Sequence, residues 1–316
     1  MGDSHVVFGA TGALGSAIVR RLAADRTPVR AVVRDAEAAR QLLPASAGIF
    51  VADALNRNSV LAACRGAGVI YHCVNVRHSR WSAQLPLITE NILAAAKETK
   101  ARLLFPGNAY GYGPLRTVPA AEDHPLLATS KKGRLRIALE DELMDAHSRG
   151  EIRLVIPRFP DLYGPYVTNP LMAPIFEAAL AGRVATWPSD LDVPHSLLYI
   201  DDAAAACVLL AATDSAYGQV WHVPGPGPLT GRQFLEAVFR AADAEPKTKA
   251  LSRTLFRLFG IFIPDAGEMV ELLYQFEQPL VLDGSKFALA FPSFSYTPHD
   301  DAIRRTVEWF REQSSR

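Results

Sequence analysis

Gly9, Gly12 and Gly15 lie three residues apart, after a short apolar run, Val6 to Phe8, and into a stretch with Leu14, Ile18, Val19 and Leu22 at helical spacing. Glycines so placed between a strand and a helix can form a phosphate cradle. Gly9 permits the tight turn, Gly12 lets backbone approach a pyrophosphate, and Gly15 lets the helix pack close on the strand. The helix, Ala13 to Ala24, then offers unpaired N–H groups and a partial positive charge to the anion. Gly9, Thr11, Gly12, Ala13, Leu14 and Gly15 are therefore the expected contacts of a dinucleotide site.

Further candidates lie where later strands end. The strand Pro28 to Val33 puts Val33 at the place where an acidic residue would bond a ribose 2′-hydroxyl and favour NAD, and Arg34 follows it. An arginine there can pair a 2′-phosphate, so NADP(H) is expected, with NAD as the alternative. The competing reading is that Arg34 is merely solvated and Asp35 caps the next helix. Asp53 and Ala54 leave the strand Gly48 to Ala52, where a carboxylate suits an adenine amino group or caps the helix Asn56 to Cys64. Cys73, Val74 and Asn75 close the strand Gly68 to Val74 and are expected to face the pyrophosphate through backbone. Cys73 itself reads as a small core filler rather than a nucleophile.

These strands alternate strictly with helices as far as Arg153 to Ile156, which predicts an α/β fold with a doubly wound parallel sheet. Landmarks on the way are a helix Leu85 to Thr99, a strand Arg102 to Phe105 and a long helix from about Ser130 to His147. Beyond Arg158 prolines thicken and helices shorten. His195 to Asp202 reads as a strand running into an Asp-capped helix, Gln219 to Val223 as a strand, Thr230 as a helix start, and His299 to Gln313 as a closing helix. The apolar stretch Leu251 to Ile263 is expected to be a core or lid element. Residues 1–165 are expected to form the dinucleotide-binding domain, with about 195–225 returning to it, and 166–316 mainly a smaller substrate-binding region.

Composition narrows the class. The 316 residues are 49% hydrophobic and 21% charged, as in ordinary globular proteins, and 33 basic residues balance 33 acidic ones. That balance gives no bias toward nucleic acid or anionic membrane. Three widely spaced cysteines supply no metal or disulfide framework and fit a reducing compartment. The first strand begins too early to leave room for a signal peptide, and no apolar run reaches spanning length. The expectation is a cytoplasmic protein with a small-molecule substrate, no metal and no nucleic-acid or membrane partner.

Together these landmarks resemble the extended short-chain dehydrogenase/reductase superfamily, of the NAD-dependent epimerase/dehydratase kind. The matching residues are Gly9-Ala-Thr-Gly-Ala-Leu-Gly15, Asp53, Asn91, Tyr112-Gly113, Arg158 with Tyr163-Gly164-Pro165, and Tyr199-Ile-Asp-Asp202. They occur in the family's order across nearly the whole chain. The resemblance implies a Rossmann-like domain, a small C-terminal substrate region and a bound nicotinamide dinucleotide. The family habit of pairing through the fourth and fifth helices would let the chain form a homodimer.

The active-site positions depart from that family. Where it carries a Ser or Thr after the fifth strand, this chain has Asn108. Where it carries Tyr-x-x-x-Lys, Ser130-Lys-Lys-Gly-Arg-Leu-Arg136 puts Lys132 for the Tyr and Arg136 for the Lys. The family Tyr exchanges a proton with substrate. A free Lys holds its proton to about pH 10.4, and Arg does not release one in the working range. Three readings stay open. Lys132 is an unusual proton donor with Asn108 polarising a carbonyl; or Tyr110 or Tyr112 supplies the hydroxyl; or no proton relay exists, and Lys132 and Arg136 bind anionic groups. Nucleotide-sugar members often grip a diphosphate with an Arg where this chain has His195, which leans against a sugar nucleotide. The apolar Leu251 to Ile263 and Phe276 stretches also suit a less charged ligand, though core packing is the commoner use. The function expected is an NADP(H)-dependent oxidoreductase or epimerase-like enzyme acting on a small carbonyl or hydroxyl compound. The alternative is an inactive cofactor-binding sensor.

Overall fold

The computed structural model describes residues 4–255 and 270–314. Its first half follows the strand–helix alternation: β1 (Ser4–Phe8), α1 (Ala13–Ala24), β2 (Val29–Val33), α2 (Ala36–Leu42), β3 (Gly48–Val51), α3 (Arg57–Ala63), β4 (Ala67–His72), α4 (Trp81–Thr99) and β5 (Arg102–Leu104). Then come the short β6 (Gly107–Asn108), α5 (Lys131–Ser148) and β7 (Arg153–Phe159). Strand order is β11-β7-β5-β4-β1-β2-β3, where β11 is Gln219–His222, and β6 pairs with β7. Every pairing from β3 through to β7 along this path is parallel. Val6, Val7, Val69 and Ile70 are fully buried or nearly so, as strands covered on both faces require. This is the Rossmann-type sheet that the alternation predicts.

Two compact units make up the chain. One contains Met1–Asn108, Arg134–Arg158 and Ala203–Trp221; the other contains Ala109–Gly133, Phe159–Asp202 and His222–Arg316. Segment 109–133 thus groups with the C-terminal segments, and Ala203–Trp221 groups with the parallel sheet. In the second unit, β8 (Asp161–Tyr163), β10 (Pro194–Tyr199) and β12 (Pro228–Thr230) form a three-stranded sheet, parallel between β8 and β10 and antiparallel between β10 and β12. Helix α6 (Ala173–Leu180), α8 (Gly231–Ala241) and the closing helix His299–Ser314 share an aromatic core, with Phe176 stacked on Phe310 at 5.2 Å. Thr230 caps α8 through a reciprocal pair with Gln233.

Several boundaries move for identifiable reasons. Helix α4 begins at Trp81 and runs through Pro86, because the buried Trp81 indole N–H is anchored on the Asn75 side chain and the Val76 carbonyl. Helix α3 is capped by Asn56, which accepts from the Ser59 N–H, and not by Asp53. Helix α7 (Ile200–Ala212) already includes Asp201 and Asp202, and the Asp202 carboxylate accepts from the Thr297 N–H and hydroxyl instead of capping. Of Leu251 to Ile263, residues 256 onward lie outside the described residues. Among the described residues no helix is long and apolar enough to cross a membrane, and no cluster of metal-ligating side chains occurs.

Candidate active site

The glycine cradle forms at the carboxyl ends of β1 and β4. Gly9 sits at φ +72°, a left-handed conformation that a side chain strains, and its carbonyl accepts the Gly12 N–H at 2.9 Å. A Cβ at position 9 would lie 2.4 Å from the Cys73 carbonyl oxygen, and one at 15 would lie 2.2 Å from the Gly9 carbonyl oxygen. Two strand ends and a helix thus converge more tightly than any side chain would allow. Gly12 is the N-cap of α1 and brings no side-chain hydrogen bond to it. The first turn of α1 therefore keeps its N–H groups for an anion, with Thr11 and Gly12 exposed beside it. Burial pushes the Cys73 thiol far above its ordinary range, which suits a filler and not a nucleophile.

The residues expected on the adenosine side lie in the same unit. Arg34 is exposed at the end of β2, while Asp35 turns its carboxylate onto the Glu37 and Ala38 N–H groups as the N-cap of α2. Asp53 is exposed, with one oxygen accepting the Leu55 N–H at 2.9 Å. Asn91 on α4 donates to the Ala54 carbonyl at 3.0 Å and so fixes the end of β3. The exposed cradle, the uncapped helix and the carboxylate beyond β3 fit a dinucleotide.

Around the positions expected to be catalytic the groups are engaged by protein partners. The Lys132 ammonium lies 2.8 Å from Glu271 Oε1, and the same carboxylate accepts the Lys131 N–H at 2.6 Å and the Lys132 N–H at 3.3 Å. Burial by itself would raise the Glu271 carboxyl, but the Lys132 ammonium and these N–H donors outweigh it and hold it below its ordinary range. Arg136, one turn along α5, donates to the Pro106 carbonyl, lies over the Phe105 ring at 4.6 Å and reaches Glu140 at 3.9 Å. Glu140 in turn pairs with Arg158. Asn108 is half-buried on β6.

Of the two tyrosines, Tyr112 is fully buried and its hydroxyl meets His222 Nε2. The other ring nitrogen of His222 faces the Asp283 carbonyl at 3.2 Å and donates to it, which in a neutral ring leaves Nε2 to accept from Tyr112. Tyr110 is half-buried, and its carbonyl accepts the Tyr274 hydroxyl at 3.1 Å. His195 is 1% exposed, with Nε2 placed 2.8 Å from Asp161 Oδ2 and the ring stacked on Phe276 at 4.9 Å. Glu140 was not singled out in the sequence, although its spacing of one helical turn from Arg136 is the signal that could have found it. Glu271 and His222 carried no local signal.

Comparison with known proteins follows the same lines. A Streptomyces protein named 3-diazoavenalumate denitrifying reductase is 29% identical over 275 residues, covering 82% of this chain and 88% of that one. Among solved structures, the dTDP-glucose 4,6-dehydratase of Bacillus anthracis in complex with NAD superposes with a TM-score of 0.82 at 14% identity, covering 99% of this chain and 97% of that one. The UDP-glucose 4-epimerase of Thermus thermophilus in complex with NAD gives 0.77 at 22% identity, covering 98% and 99%. At such identities these two structures establish the fold alone. The model of the NAD-dependent epimerase/dehydratase family matches residues 5–223, more than half of the sequence, and with the cradle and parallel sheet in place the chain belongs to that family.

Proposed function

We propose that this protein is an NADP(H)-dependent reductase that passes a hydride to a small organic acceptor without a proton relay through Lys132 and Arg136. The observation that carries the reading is the commitment of Lys132 to Glu271 and of Arg136 to Pro106 and Glu140, in a chain whose cofactor cradle has every glycine in place. Bound at Gly9 to Gly15, NADP(H) supplies the hydride. Arg34 pairs the 2′-phosphate, Asp53 meets the adenine, and the backbone of Cys73 to Asn75 lines the pyrophosphate. Asn108 offers its amide to the acceptor.

The Lys132 ammonium is turned onto Glu271, Arg136 has no proton to give, and the Tyr112 hydroxyl is engaged by the buried His222. With these three groups engaged, an acceptor takes its proton from the half-buried Tyr110 or from water, or needs none. A diazonium meets the second condition, because one hydride enters, one N2 leaves, and the product carries C–H where C–N stood. The name of the Streptomyces relative favours this class. A small carbonyl meets the first, its alkoxide being protonated by Tyr110 or by solvent. The buried His195, already engaged with Asp161, supplies no guanidinium for a diphosphate, which supports a substrate other than a sugar nucleotide.

NADPH deuterated at the transferable position tests the proposal, offered with 3-diazoavenalumate and with a panel of small aldehydes and ketones. Deuterium in a product, with stoichiometric NADP formation, is the expected result and names the acceptor class. No transfer to any acceptor, at saturating NADPH, overturns the reductase reading.

A further inference from the structure

Arg136, Glu140 and Arg158 form a chain of buried charges under the strand that carries Asn108. Their side chains are 10%, 7% and 5% exposed, respectively. Arg136 and Glu140 are one turn apart on α5, Arg158 is on β7, and β7 pairs with β6. Three contacts tie this chain to the loop Phe105 to Asn108. The Arg136 guanidinium donates to the Pro106 carbonyl, it covers the Phe105 ring at 4.6 Å, and Gly107 lies directly on Glu140. A Cβ at residue 107 would stand 2.9 Å from Glu140 Oε1 and 3.5 Å from Arg158 Cγ. Glycine at 107 lets the strand lie against that carboxylate where it stands, and a side chain there would push it aside.

We propose that Glu140 is a positioning residue, which sets the Asn108 amide by holding Arg136 and Arg158 on either side of it. This role rests on the reading that Asn108 is the group offered to the acceptor. Glu140 is the one acid of the three and meets both cations. Without its charge two buried guanidiniums face each other across α5 and β7, and the Arg136 grip on Pro106 loosens. The residue after Gly107 then loses its fixed direction, although nothing has touched Asn108 itself. Arg136 therefore serves the site by holding the loop and need not touch substrate or cofactor.

A double-mutant cycle separates this role from a structural one. Glu140→Gln and Asn108→Ala are each expected to slow hydride transfer about tenfold, with the affinity for NADPH unchanged, and the double variant to be no slower than Asn108→Ala alone. Arg136→Lys, which keeps a cation but loses the planar fork, is expected to match Glu140→Gln. Additive losses overturn the proposal. A second measurement needs no turnover and stands even if the reductase reading fails. In protein saturated with NADP and labelled at asparagine, the Asn108 side-chain amide signals are expected to move in Glu140→Gln and to stay in Glu151→Gln, which removes two surface ion pairs, to Arg149 and Lys97. Unchanged Asn108 signals in Glu140→Gln refute the positioning role. If Glu140→Gln does not fold, Arg136→Lys takes its place in both measurements, with the same results expected and the same results refuting the role.

Discussion

A methyl group on residue 15 would stand 2.2 Å from the Gly9 carbonyl oxygen, 2.8 Å from its carbon and 3.1 Å from Ala10 Cα. All three are backbone atoms, so no rotamer change relieves the contact. Non-bonded heavy atoms settle near 3.5 Å, so α1 must withdraw from the turn by roughly 1 Å. Overpacking of this kind costs about 1–3 kcal/mol, which lowers the melting temperature of Gly15→Ala by roughly 2–10 °C. The same withdrawal takes the first turn of α1 away from the pyrophosphate. A binding loss of about 1–3 kcal/mol is roughly a 5- to 150-fold rise in Kd for NADPH. Gly12→Ala supplies the contrast, because its Cβ meets only the Gly9 carbonyl oxygen, at 3.3 Å. It should melt close to the wild type and still bind NADPH weakly, since the added methyl stands where the pyrophosphate approaches. Thermal melting without cofactor and titration of NADPH fluorescence measure both quantities. Wild-type affinity in Gly15→Ala would refute the cradle.

Three other outcomes are expected. Arg34→Ala should weaken NADPH binding at least about tenfold while leaving NADH nearly untouched, and equal losses for the two cofactors would remove the 2′-phosphate contact. Glu271 has its carboxyl held down in the fold, so its stabilisation is complete above the ordinary carboxylate value and is lost as pH falls below it; Glu271→Gln should be less stable near neutrality and show a shallower acid limb in pH-dependent melting. His72 is driven down to about 3 by burial first and by the Arg136 charge second, with Nε2 against the Thr89 hydroxyl at 3.0 Å. The unfolded chain binds that proton from about pH 6.5 downward, so His72 alone makes stability fall by about 1.4 kcal/mol per pH unit between there and about pH 3. His72→Gln should flatten this slope in denaturant titrations across the range, and an unchanged slope would place its source elsewhere.

What the amino-acid sequence determined by itself is what depends on neighbours within a turn or two. The cradle is of this kind. Gly9, Gly12 and Gly15 fix a turn and a helix start over seven residues, and the buried Val and Ile runs fix strands whose parallel order follows from the alternation. The helix from about Ser130 to His147 belongs there too. The state of the catalytic positions did not. Lys132 reads in the sequence as a proton donor or an anion ligand, and a partner 139 residues away makes it half of an ion pair. Tyr112 and His222 are 110 residues apart, and Asp161 and His195 are 34 apart. Even α4 started earlier than the expected Leu85, because Trp81 found anchors in the loop after β4. Backbone conformation answers to local sterics, which residue types report directly. Whether a buried charge holds its proton, or a hydroxyl donates it, is set by the group the fold brings within about 3 Å, and only the tertiary structure decides which group that is.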